Sequence, residues 1–300
     1  MKKIKLIIIV FLIISNSKYV YADESFEEWK INFKNYAQKQ GISPITLDNL
    51  IDKSKFLPDV IKYDRYQPEF YEDTKTYISK RTSNKKLKIG ISLRVVNAEH
   101  YEERRDALSQ EWPQFFEKLG MIPIFIPNNI INLESYLDSI GIDGIILSGG
   151  DNIGDFPERD QTEKSLIQFG IKNDIPVFGV CRGMQIINHF FDGTITKNPS
   201  NDHVGKPHEI KISSGKLSTK LNSQLIKVNS FHNNIILDEN IGKNLVAFAR
   251  TVNDNTVEGI FHNQYKILGV MWHPEREQNK NNELILKHFF HDKTFWENLI

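Results

Sequence analysis

The chain has 300 residues, 40% of them hydrophobic, which is enough for a substantial core and longer than one typical domain. Lys plus Arg equals Asp plus Glu at 38 each, so the formal net charge is zero. That balance argues against nucleic-acid binding and against polybasic attachment to membranes. A single cysteine, Cys181, rules out an intramolecular disulfide.

At the N-terminus, Lys2, Lys3 and Lys5 precede an unbroken apolar run from Leu6 to Ile14, followed by Val20-Tyr21-Ala22. This pattern predicts a secretory signal cleaved after Ala22 and an exported, periplasmic mature protein. The apolar run is shorter than the roughly 20 residues that span a bilayer. An uncleaved anchor is the alternative reading.

Residues 23–86 read as a small helical segment ending in a linker. Trp29, Phe33, Tyr36 and Ala37 recur at helical spacing before Gly41, a helix stop. Ser43-Pro44 opens a second short helix through Leu47, Leu50 and Ile51, and a third amphipathic stretch ends near Ile78. The polar run from Lys80 to Lys86 is the linker.

From residue 87 to 300 the rhythm changes to alternating strands and helices. Leu87 to Val95 predicts a buried strand. Ala107 to Leu119 predicts a helix, with Pro113 either kinking it or marking its true first turn. Ile122 to Ile126 is a strand, Leu133 to Ile140 a helix, and Ile142 to Leu147 a strand ending in Ser148-Gly149-Gly150. Asp160 and Glu163 have capping-box spacing before Leu166 and Ile167. The Cys181 strand follows, then shorter strand-like runs that include Val257 to Phe261 and Tyr265 to Met271, and a last helix over about 282–290. The fold class is therefore α/β, with a parallel sheet covered by helices on both faces, and its ligands belong at the carboxyl ends of the strands.

The chemistry centres on Pro176-Val177-Phe178-Gly179-Val180-Cys181-Arg182-Gly183-Met184-Gln185. A buried strand ends at Val180, and helical spacing resumes at Met184. A thiol at such a bend projects toward substrate, beside backbone N–H groups at a helix N-terminus that favour a thiolate and an oxyanion. The nucleophile needs a base, and the base an orienting acceptor. Trp272-His273-Pro274-Glu275 supplies both at the end of a strand.

With these motifs, together with Gly149-Gly150, Asn229-Ser230-Phe231-His232 and Val257-Glu258-Gly259, residues 87–291 resemble a class I glutamine amidotransferase-like (flavodoxin-like) domain of the free-standing gamma-glutamyl hydrolase type. The resemblance implies Cys181 as nucleophile, His273 as general base and acid, and Glu275 as its orienter. It implies an oxyanion hole from the N–H groups of Gly149 and Arg182, and a glutamyl pocket lined by Gln185, Ser230 and His232. Asp192-Gly193 departs from the two glycines more common in the family. A finer likeness, over Asp143 to Gly154 and His273 to Glu277, is to the gamma-glutamyl hydrolases of capsular phosphoramidate synthesis, although export argues against a cytosolic nucleotide substrate. The earlier segment resembles the N-terminal part of membrane-bound lytic murein transglycosylases of the B type, through Gly41-Ile42-Ser43-Pro44, Leu57 to Ile61 and Gln67-Pro68-Glu69-Phe70. The helix that bears the catalytic glutamate in that family lies beyond where the likeness stops, so lytic activity is not carried over. The segment is either a repurposed cell-wall-facing module or a helical cap.

Three functions follow as expectations. The first is hydrolysis of a small gamma-glutamyl amide through a thioester. The second is a glutaminase subunit feeding ammonia to a synthetase. The third is a non-catalytic peptidoglycan-binding module. His203, His208, His232 and His262 show no metal-ligand spacing and have no partner cysteines, so neither metal nor cofactor is expected. Asp151-Asn152 and Asp254 read as turn-formers.

Overall fold

The computed structural model describes residues 25–55, 86–100, 102–200, 202–213, 218, 223–277 and 280–292. The predicted signal, the run from Leu57 to Ile61, the Gln67-Pro68-Glu69-Phe70 motif and nearly all of the linker lie outside these residues. The chain divides into two compact units, Met1–Asn84 and Lys85–Ile300.

The first unit contains two described helices. Helix α1 (Phe26–Lys39) starts at a reciprocal capping box between Ser25 and Glu28. It ends where Gly41 takes a left-handed φ of 86°. Helix α2 (Pro44–Ile51) has Ser43 as its N-cap and Pro44 in its first turn. Lys34 of α1 joins the pair by reaching Asp48 at 3.0 Å and Asp52 at 2.5 Å.

The second unit is built on a nine-stranded sheet. In spatial order its strands are β4 (Ile122–Ile126), β1 (Lys88–Ser92), β5 (Gly144–Leu147), β6 (Val177–Val180), β13 (Ile267–Val270), β12 (Val257–His262), β11 (Leu245–Thr251), β8 (His208–Ile212) and β9 (Leu225–Val228). The first five are mutually parallel and the remainder antiparallel. Two small ribbons stand apart: β2 (Arg94–Asn97) with β3 (Arg104–Ala107), and β7 (Thr196–Lys197) with β10 (Asn234–Ile235).

Helices α3 (Glu111–Leu119) and α7 (Lys280–His291) cover one face of the sheet. Helices α4 (Leu133–Ile140), α5 (Pro157–Lys172) and α6 (Arg182–Phe190) cover the other. The parallel strands read as unbroken apolar runs because both their faces are buried. In β5, Ile145 and Leu147 face the α5–α6 layer while Ile146 faces α3 and α7.

Three sequence expectations need correction. The strand expected over Leu87–Val95 is two strands, because the chain leaves the sheet after Ser92 and β2 pairs with β3 as a hairpin. The helix expected from Ala107 begins at Glu111; Ala107 lies in β3, and Pro113 sits in the first turn, where its missing N–H costs nothing. The Asp160–Glu163 pair is not a cap. Helix α5 begins at Pro157, and both carboxylates lie inside it, bound to buried arginines.

Candidate active site

Three adjacent parallel strands deliver the site. In register, Leu147 of β5 pairs with Gly179 of β6, and Val270 of β13 pairs with Val180. The residues just beyond their carboxyl ends, Gly149, Cys181 and His273, therefore meet. A Cβ built on Gly149 would lie 2.7 Å from His273 Cε1 and 3.6 Å from the Cβ of Cys181, so only glycine fits between imidazole and thiol.

Cys181 adopts φ 52° and ψ −105°, which cysteine rarely takes. Its N–H donates to Val270 O at 2.8 Å, and its carbonyl accepts from Met184 and Gln185 as α6 begins. The bend is tight: a Cβ on Gly183 would stand 2.0 Å from Leu147 O, and one on Gly179 would stand 2.5 Å from the Gly183 backbone. The thiol is 7% exposed. Burial pushes it up, but the His273 imidazole, the charge of His232 and the Arg182 N–H outweigh burial and hold it below the usual thiol range.

His273 Nδ1 is 2.7 Å from Glu275 Oε1, both side chains being nearly fully buried. Burial works against charge on His273, yet Cys181 and Glu275 together raise it to about 9. Both shifts favour a thiolate–imidazolium pair over the neutral one. The Asn229 side-chain amide grips the His273 backbone from both sides, accepting from its N–H at 2.8 Å and donating to its carbonyl at 2.8 Å. Phe231 stacks edge-on against the imidazole at 5.8 Å, and Arg276 lies 4.4 Å over Phe231.

A buried charge network supports the other wall. Arg159 donates to the carbonyls of Ser148 at 2.8 Å, Gly149 at 3.0 Å and Gly150 at 2.6 Å. A trans peptide whose carbonyl is held on one side turns the following N–H to the other, so the Gly149 N–H points away from Arg159. Arg159 also bonds Glu163 at 3.1 Å and Asp151 at 2.8 Å, and the buried Arg182 side chain bonds Glu163 and Asp160. Asp151, expected as a turn-former, takes a left-handed φ of 61° and is also the shared partner of Arg94 and Arg159.

The expected pocket residues divide. Gln185 is buried in the first turn of α6, its amide N–H directed at Met271 Sδ at 3.6 Å. Ser230 is fully buried, and its hydroxyl donates to His203 O at 2.6 Å. His232 donates from Nδ1 to Asn234 O at 2.9 Å, and its Nε2 faces Glu258 at 3.3 Å. A cleft of about 40 Å³ opens beside His273, bounded by Arg94, Trp112, Gly149, Gly150 and Arg276. A wider concavity of about 920 Å³ lies between α4 and α5 and shares no residue with this site.

Residues 89–275 match the model of the peptidase C26 family. The chain belongs to the peptidase C26 family. The gamma-glutamyl-CDP-amidate hydrolase of Campylobacter jejuni is 35% identical over 211 residues, spanning 67% of this chain and 96% of that protein. Anthranilate synthase component 2 of Cyanophora paradoxa is 32% identical over 188 residues, spanning 61% of this chain and 93% of that one. The CTPS glutaminase domain of Trypanosoma brucei shares the fold, with a TM-score of 0.53 at 17% identity over 69% of this chain and 94% of that one. As a peptidase C26 member, the Lys85–Ile300 unit is a glutamine amidotransferase-like hydrolase. Residues 25–107 match a transglycosylase SLT domain, the counterpart of the murein-transglycosylase likeness in the sequence. That match overlaps the peptidase C26 domain over β1–β3, which are part of the second unit.

Two parts of the peptidase C26 site were not anticipated. The Arg159–Glu163 pair carries a sequence signal in its i,i+4 spacing on one helix. Asn229 stands in the Asn229-Ser230-Phe231-His232 motif, but nothing there marks it as a clamp, because its partner lies far away along the chain.

Proposed function

We propose that the chain hydrolyses a gamma-glutamyl amide through a thioester on Cys181. The observation that carries this is a cysteine at a strained strand-to-helix bend, with its thiol pKa lowered, against a histidine whose far nitrogen bonds a buried glutamate. The thiolate attacks the gamma-carbonyl carbon. The oxyanion forms between the N–H groups of Arg182 and Gly149. His273 passes its proton to the departing nitrogen, then takes one from the water that opens the thioester and frees glutamate. Asn229 and Glu275 are positioning residues that hold the imidazole through these steps.

The similarity to a gamma-glutamyl-CDP-amidate hydrolase supports an amide or amidate leaving group, and the arginines bordering the cleft suit a negatively charged one. The transglycosylase SLT match and the signal-like N-terminus support a location facing the cell wall. The similarity to anthranilate synthase component 2 favours a second reading, release of ammonia from glutamine for a partner.

One screen separates these readings. Gamma-glutamyl amines, gamma-glutamyl peptides, a gamma-glutamyl phosphoramidate and glutamine are offered to the purified protein, and glutamate release is read. Turnover of a substituted amide well above glutamine supports the hydrolase reading. Activity on glutamine alone, appearing only with an added cellular fraction, supports the ammonia reading. No release from any substrate would sink both.

A further inference from the structure

A buried cluster of imidazoles surrounds Glu258 and enters the hydrolytic steps above only through the charge that His232 sets beside Cys181. His203 and His232 come from two loop segments joined at the Val204–Phe231 bridge, and His208 opens β8. Glu258 is the second residue of β12, which runs antiparallel to β13, so it lies at the sheet end that carries Cys181 and His273. His203 and His232 are 3% exposed and Glu258 is fully buried. Glu258 Oε1 stands 3.8 Å from His203 Nδ1 and 3.3 Å from His232 Nε2, while Oε2 stands 3.5 Å from His208 Nε2. None of these atoms makes a hydrogen bond of proper geometry.

Two properties point to what belongs between them. The first is the direction of the lone pairs. His203 Nε2 lies 2.7 Å from Asp254 Oδ2, and a carboxylate only accepts, so that nitrogen carries the proton. His232 Nδ1 donates to Asn234 O. In the neutral rings this leaves bare lone pairs on His203 Nδ1 and His232 Nε2, each within 4 Å of a carboxylate oxygen of Glu258. An outer acceptor that fixes the inner lone pair is how proteins present histidine to a metal. The second property is spacing. A charge-assisted N–H···O bond spans about 2.7–2.9 Å, whereas ligands about 2.0–2.1 Å from a tetrahedral metal sit roughly 3.3–3.5 Å apart. The contacts at 3.3 and 3.8 Å fit the second spacing better, and the ligand atoms of His203, His232 and Glu258 all lie within 4.8 Å of one another.

We propose that His203 Nδ1, His232 Nε2 and Glu258 Oε1 bind a divalent transition-metal ion of the zinc class. Asp254 and the Asn234 carbonyl orient the two imidazoles, and His208 faces the second carboxylate oxygen. Three protein ligands leave a fourth position for water. The sequence conceals this set because its ligands come from separate loops and a strand rather than from one short motif. The competing occupant is a proton on His232. Glu258 and Cys181 favour that proton against the effect of burial, but it leaves His203 Nδ1 unpartnered.

The test uses the full chain without a polyhistidine tag, produced in zinc-supplemented medium and freed of loose metal by gel filtration. Elemental analysis should find about one zinc per chain, and cobalt exchange should give the visible absorption of a tetrahedral site. His203→Gln and Glu258→Gln should each cut bound zinc at least tenfold and remove the cobalt band, while circular dichroism reports their fold. Re-adding zinc to chelated wild-type protein should raise its Tm. Wild-type protein that takes up neither zinc nor cobalt overturns the proposal, as does retention of the metal by both folded variants. If the variants do not fold, the wild-type zinc content, cobalt spectrum and Tm shift decide alone.

Discussion

Cys181 sits in a backbone conformation that costs about 1–3 kcal/mol, and it is sustained by its bond to Val270 and the start of α6. That strain aims the thiol at His273 rather than into the core. Replacing Cys181 with Ala or Ser should leave the fold intact and lower kcat by roughly 10³-fold or more, and His273→Ala should do nearly the same. Glu275→Gln keeps a hydrogen bond and loses charge, so a milder loss of roughly 10²-fold is expected. Steady-state kinetics on purified variants checks all three, and wild-type turnover by Cys181→Ala would remove the thioester mechanism. The two shifts also make a prediction about pH. Cys181 is held low and His273 is raised to about 9. kcat/KM should therefore climb as Cys181 loses its proton on the acid side, hold through neutrality, and fall as pH passes about 9 and His273 loses the proton it must donate. Iodoacetamide should label Cys181 rapidly at pH 6; a rate that only begins to rise near pH 8 would mean an ordinary thiol. The Cys181–His273–Glu275 cluster was legible because each member stands in a short motif whose chemistry is local. Asp192 was legible only as a departure. Its φ of 65° shows why glycine is usual at that point and why aspartate is tolerated.

At the scale of elements, the site depends on contacts between backbone and side chains that no local pattern announces. Gly183 lets α6 press onto the end of β5, so Gly183→Ala must separate them because the obstacle is a main-chain carbonyl. A loss of about 2–4 kcal/mol, read as a lowered urea midpoint, is expected together with loss of activity. Asn229→Ala leaves two backbone groups of His273 without partners, at a cost of about 1–3 kcal/mol. It should depress kcat more than it raises KM, because it displaces the base and not the substrate. An unchanged kcat would mean that the clamp serves stability only. The parallel strands were legible as apolar runs, and the helix stop at Gly41 followed from its residue type. The departure of β2 from the sheet was not legible, since the same β-rich stretch serves a sheet or a hairpin. The capping-box reading of Asp160 and Glu163 failed for a related reason: acidic residues near a helix start suit its dipole as well as they suit a buried arginine.

For the whole molecule, the two units carry different expectations. The Lys85–Ile300 unit has a core on each face of its sheet. Deleting residues 23–80 should therefore leave a folded protein that still releases glutamate from a small gamma-glutamyl amide. The full chain should not cleave glycan strands, because its likeness to the lytic transglycosylases stops before the helix that bears their catalytic glutamate. Muropeptide release that vanished on Glu69→Gln would overturn this. The order of strands in the sheet bears on how such a chain is made. β13 lies between β6 and β12 at the centre of the sheet, yet it is the last of the described strands to be synthesised. Until it emerges from the ribosome, β6 and β12 each present an open edge to other nascent chains. Closing the gap requires contacts between distant parts of the sequence, which form slowly. The same delay keeps Cys181 apart from His273, its proposed base, until β13 has been made.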